Sequence, residues 1–118
     1  MTRVTGGFYD DKFYLEVSGH ACEESGGVYV MPSAVGEGDE ALACAAVSIL
    51  VFTAAERIAR LDSEGAFYNS SVTVESGYGC FDLDVRDEYS DTLSAILDTL
   101  LTGFELLEEN YPDLVSVQ

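Results

Sequence analysis

Tryptophan is absent from this chain of 118 residues, histidine occurs once, proline twice, and lysine and arginine together only five times. The shortage of cations carries the strongest exclusion. Twenty-two acids oppose those five bases, for a formal net charge of −17. A nucleic-acid binder needs Lys and Arg to displace counterions from phosphates, so nucleic acid is excluded as a partner. An anionic membrane surface is excluded for the same reason. The field suits a basic partner or peptide substrate, although acidity also serves solubility alone. Cysteine is scarce and odd in number: Cys22, Cys44 and Cys80 show no regular spacing. They make no disulfide framework and read as free thiols of a reducing compartment. No long apolar run is present. The longest, Ala41 to Ala55, is interrupted by Ser48 and Thr53 and stops at Glu56-Arg57, short for a membrane span and suited to a buried core helix. Met1-Thr2-Arg3-Val4 lacks the design of a secretory signal, so the chain reads as cytoplasmic, and the Asn69-Ser70-Ser71 sequon would stay unmodified there.

What is present is ordinary globular composition, 47% hydrophobic and 23% charged, in a length that suits one domain over 1–118. Val4 to Tyr9 and Lys12 to Val17 read as strands joined by an Asp10-Asp11 turn, and Phe13, Leu15 and Val17 alternate with Tyr14 and Glu16 to give one buried face. Residues 21–38 hold four glycines, Pro32 and three glutamates, and read as a long flexible loop. Asp39 is placed to cap a helix running to about Leu61, with Glu40 adding first-turn charge. Its first half is apolar nearly all round and needs cover on several sides. Phe67 to Glu75 and Cys80 to Val85 form a second hairpin, with Gly77 and Gly79 in the turn. Ser90 or Asp91 caps a last helix to about Asn110, with Leu93, Ile96, Leu97, Leu100, Leu101, Phe104 and Leu107 in one stripe. Pro112 stops it, and Leu114 to Val117 suits a short edge strand. The order ββαββα, with a possible final strand, predicts an α+β domain: an antiparallel sheet from two hairpins with two helices packed on it.

Two residues stand out for chemistry. His20 follows a glycine at a strand-to-loop junction, and Cys44 falls in the first turn or so of the central helix. A helix N-terminus favours an anion, hence a thiolate, and its N–H groups can serve an oxyanion. A Cys–His pair is the minimum for thiol nucleophilic catalysis: imidazole takes the thiol proton and returns it to the leaving amine. Spacing alone leaves open the reading of Cys44 as a small core residue and of His20 as an idle surface group. A zinc site from His20, Cys22 and an acid fits no familiar spacing, and neither metal nor cofactor is expected.

Ser18-Gly19-His20-Ala21, followed by Cys44-Ala45-Ala46-Val47-Ser48 at a helix start, resembles the ribosomal-processing cysteine protease family, often called Prp. The similarity of layout covers nearly the whole chain, to Tyr111-Pro112 after the last helix. It implies a homodimeric α+β fold and a Cys–His endopeptidase that trims the N-terminal extension of a bacterial large-subunit ribosomal protein. Carried over by residue, Cys44 is the nucleophile and His20 the general base, with Gly19 and Ser48 at two further motif positions. Two features depart from the family pattern. Its aspartate three residues before the cysteine is Ala41 here, and the loop between histidine and cysteine is longer. Glu40 and Asp39 are the nearest acids, and Glu40 shares a helix face with Cys44. The alternative reading is a non-catalytic dimeric binding or ribosome-assembly module of the same fold.

Overall fold

A computed structural model describes residues 1–19, 23–25, 28–30, 39–75 and 77–118, with backbone alone at 23–25, 28–30 and 39–40. The chain opens with β1 (Thr2–Tyr9) and β2 (Lys12–Ser18), antiparallel from Arg3 opposite Ser18 to Tyr9 opposite Lys12. Both turn residues, Asp10 and Asp11, have left-handed backbones (φ 50° and 60°). Two such residues make the turn whose twist matches paired strands, and aspartate tolerates it better than most side chains.

Two three-residue strands follow, β3 (Glu23–Ser25) and β4 (Val28–Val30), paired antiparallel as a separate small sheet inside the stretch read as irregular. Helix α1 spans Asp39–Ser63. The second hairpin, β5 (Phe67–Glu75) and β6 (Tyr78–Val85), begins and ends close to the sequence pattern, except that β6 starts earlier and takes Gly79 into the strand. A short 3-10 turn at Asp87–Tyr89 leads into α2 (Ser90–Asn110), and β7 (Val115–Val117) closes the described chain.

The main sheet has the order β5-β6-β2-β1-β7. Four strands are antiparallel neighbours, and β7 joins β1 in parallel, so the sheet is mixed. The α+β expectation holds, with that one parallel edge and the small β3–β4 hairpin added. The cap expected from Ser90 or Asp91 is corrected: the residue before α2 is Tyr89, and no side chain caps it. The 3-10 turn already supplies the entry, which frees the Ser90 hydroxyl to donate to Asp11 Oδ1 at 2.9 Å.

Both helices lie on one face of the sheet. Phe13, Leu15 and Val17 of β2 and Phe81, Leu83 and Val85 of β6 are buried there with Val47, Val51 and Ile58 of α1 and Leu93, Leu97 and Phe104 of α2. Each such side chain contributes about 1.5–3 kcal/mol by leaving water. Over Ala41–Ser63, α1 has the length and apolarity to cross a membrane, longer than the run read from sequence, since the apolar pattern resumes beyond Arg57. Its Val47, Val51, Ala54 and Ile58 are instead packed into the core.

Glycine at 79 sets how closely α1 approaches the sheet. A Cβ there would stand 3.0 Å from Val51 Cγ1. Val51 is fully buried and β-branched, so it cannot swing aside. α1 therefore rests directly on β6 at that point and crosses the sheet obliquely. Its early residues meet the start of β1 and the end of β2, and its later ones, Ala55, Ile58 and Asp62, face β5.

Candidate active site

Gly19 ends β2 with φ 85°, a left-handed conformation that side chains other than glycine rarely adopt. A Cβ at this position would also collide with the Met1 carbonyl oxygen. The Gly19 N–H donates to the Gly77 carbonyl at 2.8 Å, which ties the end of β2 to the β5–β6 turn. Glycine is thus required twice over, by conformation and by close approach.

Cys44 meets this junction from the other side. With Gly19, Met1, Thr2, Ala43 and Leu114 it lines a narrow cleft of about 50 Å³. Such a space has room for no more than a few water molecules. Cys44 is half-buried and a free thiol. α1 starts at Asp39, within a residue of the cap position read from sequence, so Cys44 is its sixth residue and falls early in the second turn. The four unpaired N–H groups of a helix belong to its first turn, and the dipole acts chiefly there. The helix start therefore faces the thiol less directly than the sequence implied.

Ser48 follows Cys44 by one turn and is fully buried. Ala41 is half-buried and Leu42, next to it, is exposed. Asp39 and Glu40 form the first residues of α1 as backbone; the roles read for their carboxylates lie outside the described side chains. His20 and Cys22 lie outside the described residues, and so does the metal reading built on them. The structure brings Cys44 and Gly19 together and sets Ser48 behind Cys44 on the same helix.

Met1, Thr2 and Leu114 as walls of the cleft were missed by the motif-based reading. The signal was in the register: Arg3 opposite Ser18 puts the first residues of β1 beside Gly19, and β7 runs next to β1. A second cluster was missed as well, on the open face of the sheet that no described helix covers. Glu16 and Cys80 are cross-strand neighbours. Glu16 Oε2 accepts from the Tyr78 hydroxyl at 2.9 Å and from the Tyr14 hydroxyl at 3.2 Å. Partial burial, then the Cys80 and Glu16 charges, push the Tyr14 phenol up to about 12 from its usual 10.0. Hydrogen bonding to Cys80 and Glu16, with some burial, raises Tyr78 also. Cys80, read from sequence as a free thiol opening a strand, is the half-buried thiol of this group.

Comparison with known proteins bears on the cleft. The family model described as cysteine protease Prp matches residues 1–116. Among solved structures, the essential ribosomal processing protease Prp from S. aureus in complex with a substrate peptide superposes with a TM-score of 0.64 at 21% identity, covering 100% of this chain and 98% of that one. The protein SMU.848 from Streptococcus mutans gives 0.63 at 21% identity, with 100% and 96% covered. The same S. aureus protease with a covalently linked product peptide gives 0.59, also at 21% identity, with 100% and 98% covered. No curated protein sequence matches this chain.

The tyrosine cluster yields a pH prediction. In a spectrophotometric titration one phenol should ionise near pH 12, and Glu16→Gln should move it part of the way back toward 10. A phenol raised in the folded state adds stability that is complete below its unfolded value of about 10. That stability is lost as pH climbs through about 12. The variant should lose less stability over that window. A Tyr14 midpoint unmoved by Glu16→Gln would show that the carboxylate does not hold the hydroxyl.

Proposed function

This chain belongs to the Prp family of cysteine proteases, and from that premise we propose that it is an active Cys–His endopeptidase of the cytoplasm. Its substrate in this reading is the basic N-terminal extension of a bacterial large-subunit ribosomal protein. The observation that carries the proposal is the cleft shared by Cys44 and Gly19, because His20 is the next residue in the chain. Gly19 and Cys44, 25 positions apart in sequence (44 − 19), line that one cleft from the end of β2 and the second turn of α1, which supports the pairing.

The chemistry proceeds by two acyl transfers. His20 takes the Cys44 proton, and the sulfur attacks the carbonyl carbon of the scissile amide. The tetrahedral oxyanion collapses, the C–N bond breaks, and the imidazolium gives its proton to the departing amine. Water, deprotonated by His20, then attacks the thioester carbon, and the thiol leaves with the proton restored. Gly19 positions His20, since no other residue fits its backbone, and Ser48 packs behind Cys44. Glu40, with Asp39 next, stands in for the family aspartate at Ala41 by orienting the imidazole. Two neighbours of the same fold support a peptide substrate: one protease was solved with a substrate peptide and with a covalently linked product peptide. The net charge of −17 attracts a basic extension.

Intact-mass analysis of a synthetic ribosomal extension peptide tests the assignment. The unmodified chain should cleave it, and Cys44→Ala should abolish cleavage. Glu40→Gln should lower turnover by as much as about ten-thousand-fold if it plays the triad acid's part, and Ala41→Asp should keep or raise activity. Cleavage created only by Ala41→Asp would identify the natural chain as a binding module with the same fold. No cleavage by either would leave only the fold.

The homodimer belongs to the same proposal. α1 leaves Leu42 and Ile49 exposed, and Leu106 of α2 is exposed too, so the outer helical layer has apolar surface that no other described residue covers. Light scattering at micromolar protein should return twice the 12.7 kDa chain mass; a monomer at every concentration would contradict it.

A further inference from the structure

The edge strand β5 is open in a way that few natural edges are. It is nine residues long, and among the described residues nothing pairs with its outer side. Long edges are ordinarily blunted by Lys, Pro, bulges or covering elements. β5 has a bulge between Phe67 and Asn69, and Arg86 stacks over the Tyr68 ring at 4.5 Å. From Ser70 to Val74 it carries no charge, no proline and no further irregularity.

The two faces of that open segment differ. On the helix side Ser70, Val72 and Val74 form a groove of about 440 Å³ with Ala55, Ile58 and Asp62 of α1, and Val72 is 44% exposed. On the other side Ser71 neighbours Asp82 of β6, which is exposed. Among the described residues no cation pairs with Asp62, Asp82 or Glu75, whereas Asp84 is already held by Lys12 at 3.4 Å and by Asn69. A strand laid along β5 would alternate its side chains between a trough that is apolar at Ala55, Ile58, Val72 and Val74 and acidic at its Asp62 end, and a second acidic side at Asp82.

We propose that β5 is a docking edge for the substrate, which adds to the sheet as an extended strand with apolar and basic residues in alternation. The recognition mode is strand addition: main-chain hydrogen bonds hold the peptide, and alternate pockets select its side chains. A second copy of this chain is the poorer occupant at this edge, because pairing β5 with β5 would set Asp62, Asp82 and Glu75 of one copy near the same acids of the other, while a basic peptide is drawn in. The site rests on the protease reading, and it extends the catalytic cleft, which is too narrow to grip a peptide by itself. Ala55 lies three turns beyond Cys44, about 16 Å along α1. About five extended residues span that distance at roughly 3.3 Å each.

The test uses full-length Cys44→Ala and a fluorescein-labelled ten-residue peptide alternating Lys and Val, read by anisotropy. A Glu/Val peptide of equal length is the control. The Lys/Val peptide should bind with an affinity that falls as salt rises, and the Glu/Val peptide should not bind. Val72→Asn, which spoils the trough, should weaken binding about tenfold, and Asp82→Asn roughly threefold with a shallower salt dependence. Both positions are exposed, and unchanged thermal unfolding confirms that each variant folds. Equal binding of the two peptides, or binding indifferent to both substitutions, overturns the proposal. So does a result in which Val72→Asn changes the mass seen by light scattering and leaves peptide affinity untouched, since a second copy would then own the edge. Cleavage is read separately on the unmodified chain. Docking without cleavage would defeat the protease reading and spare the edge, and cleavage without docking the reverse.

Discussion

The contact of Val51 with Gly79 governs the rest of the molecule. Because the glycine has no side chain, α1 lies directly on β6 and crosses the sheet at a slant. That crossing delivers Cys44 to the Gly19 end of β2 and carries Ala55, Ile58 and Asp62 over to β5. One helix thus lines both the proposed catalytic cleft and the groove beside β5. A larger residue at 79 would lift the helix and separate the thiol from the β2 terminus together with the groove wall from β5. Packed interiors do not absorb an added methyl without displacement.

Much of this was legible from residue pattern. The alternation of Phe13, Leu15 and Val17, and of Phe81, Leu83 and Val85, announced two half-buried strands, and all six side chains are buried together. The Leu93 to Leu107 stripe announced α2. The family motifs marked Gly19 and Cys44 before the cleft between them was seen. What pattern could not supply was relative placement. The start of α1 was legible to within a residue, since Asp39, read as its cap, is its first residue, but the strand ends that its early turns would meet were not. The parallel pairing of β7 with β1 is a long-range choice, set by α2 returning the chain to the β1 edge. Likewise the Tyr14–Glu16–Tyr78–Cys80 group exists only through β2–β6 register, since its members are up to 62 residues apart in bonding partners.

Charge gives the architecture its direction. Three of the five cations are held locally: Lys12 on Asp84, Arg60 on Glu56, Arg86 over Tyr68. The acids around β5 are left to act outward. Under the proposed protease reading, an acidic chain with an open strand edge and a half-buried thiol suits an extended basic substrate better than a folded one, and an N-terminal extension has that form. In the same proposed reading, Ala41 in place of the family aspartate leaves Glu40, next to it on α1, as the acid for His20.

The central claim is that His20 and Cys44 work as a pair, and alkylation kinetics address it most directly. With limiting iodoacetamide at neutral pH and peptide mapping of each thiol, Cys44 should label faster than Cys80. His20→Ala should slow Cys44 by about tenfold or more through loss of its proton acceptor while leaving Cys80 unchanged. Equal Cys44 rates with and without His20 would contradict the pairing and, with it, the assignment of this cleft as a catalytic centre.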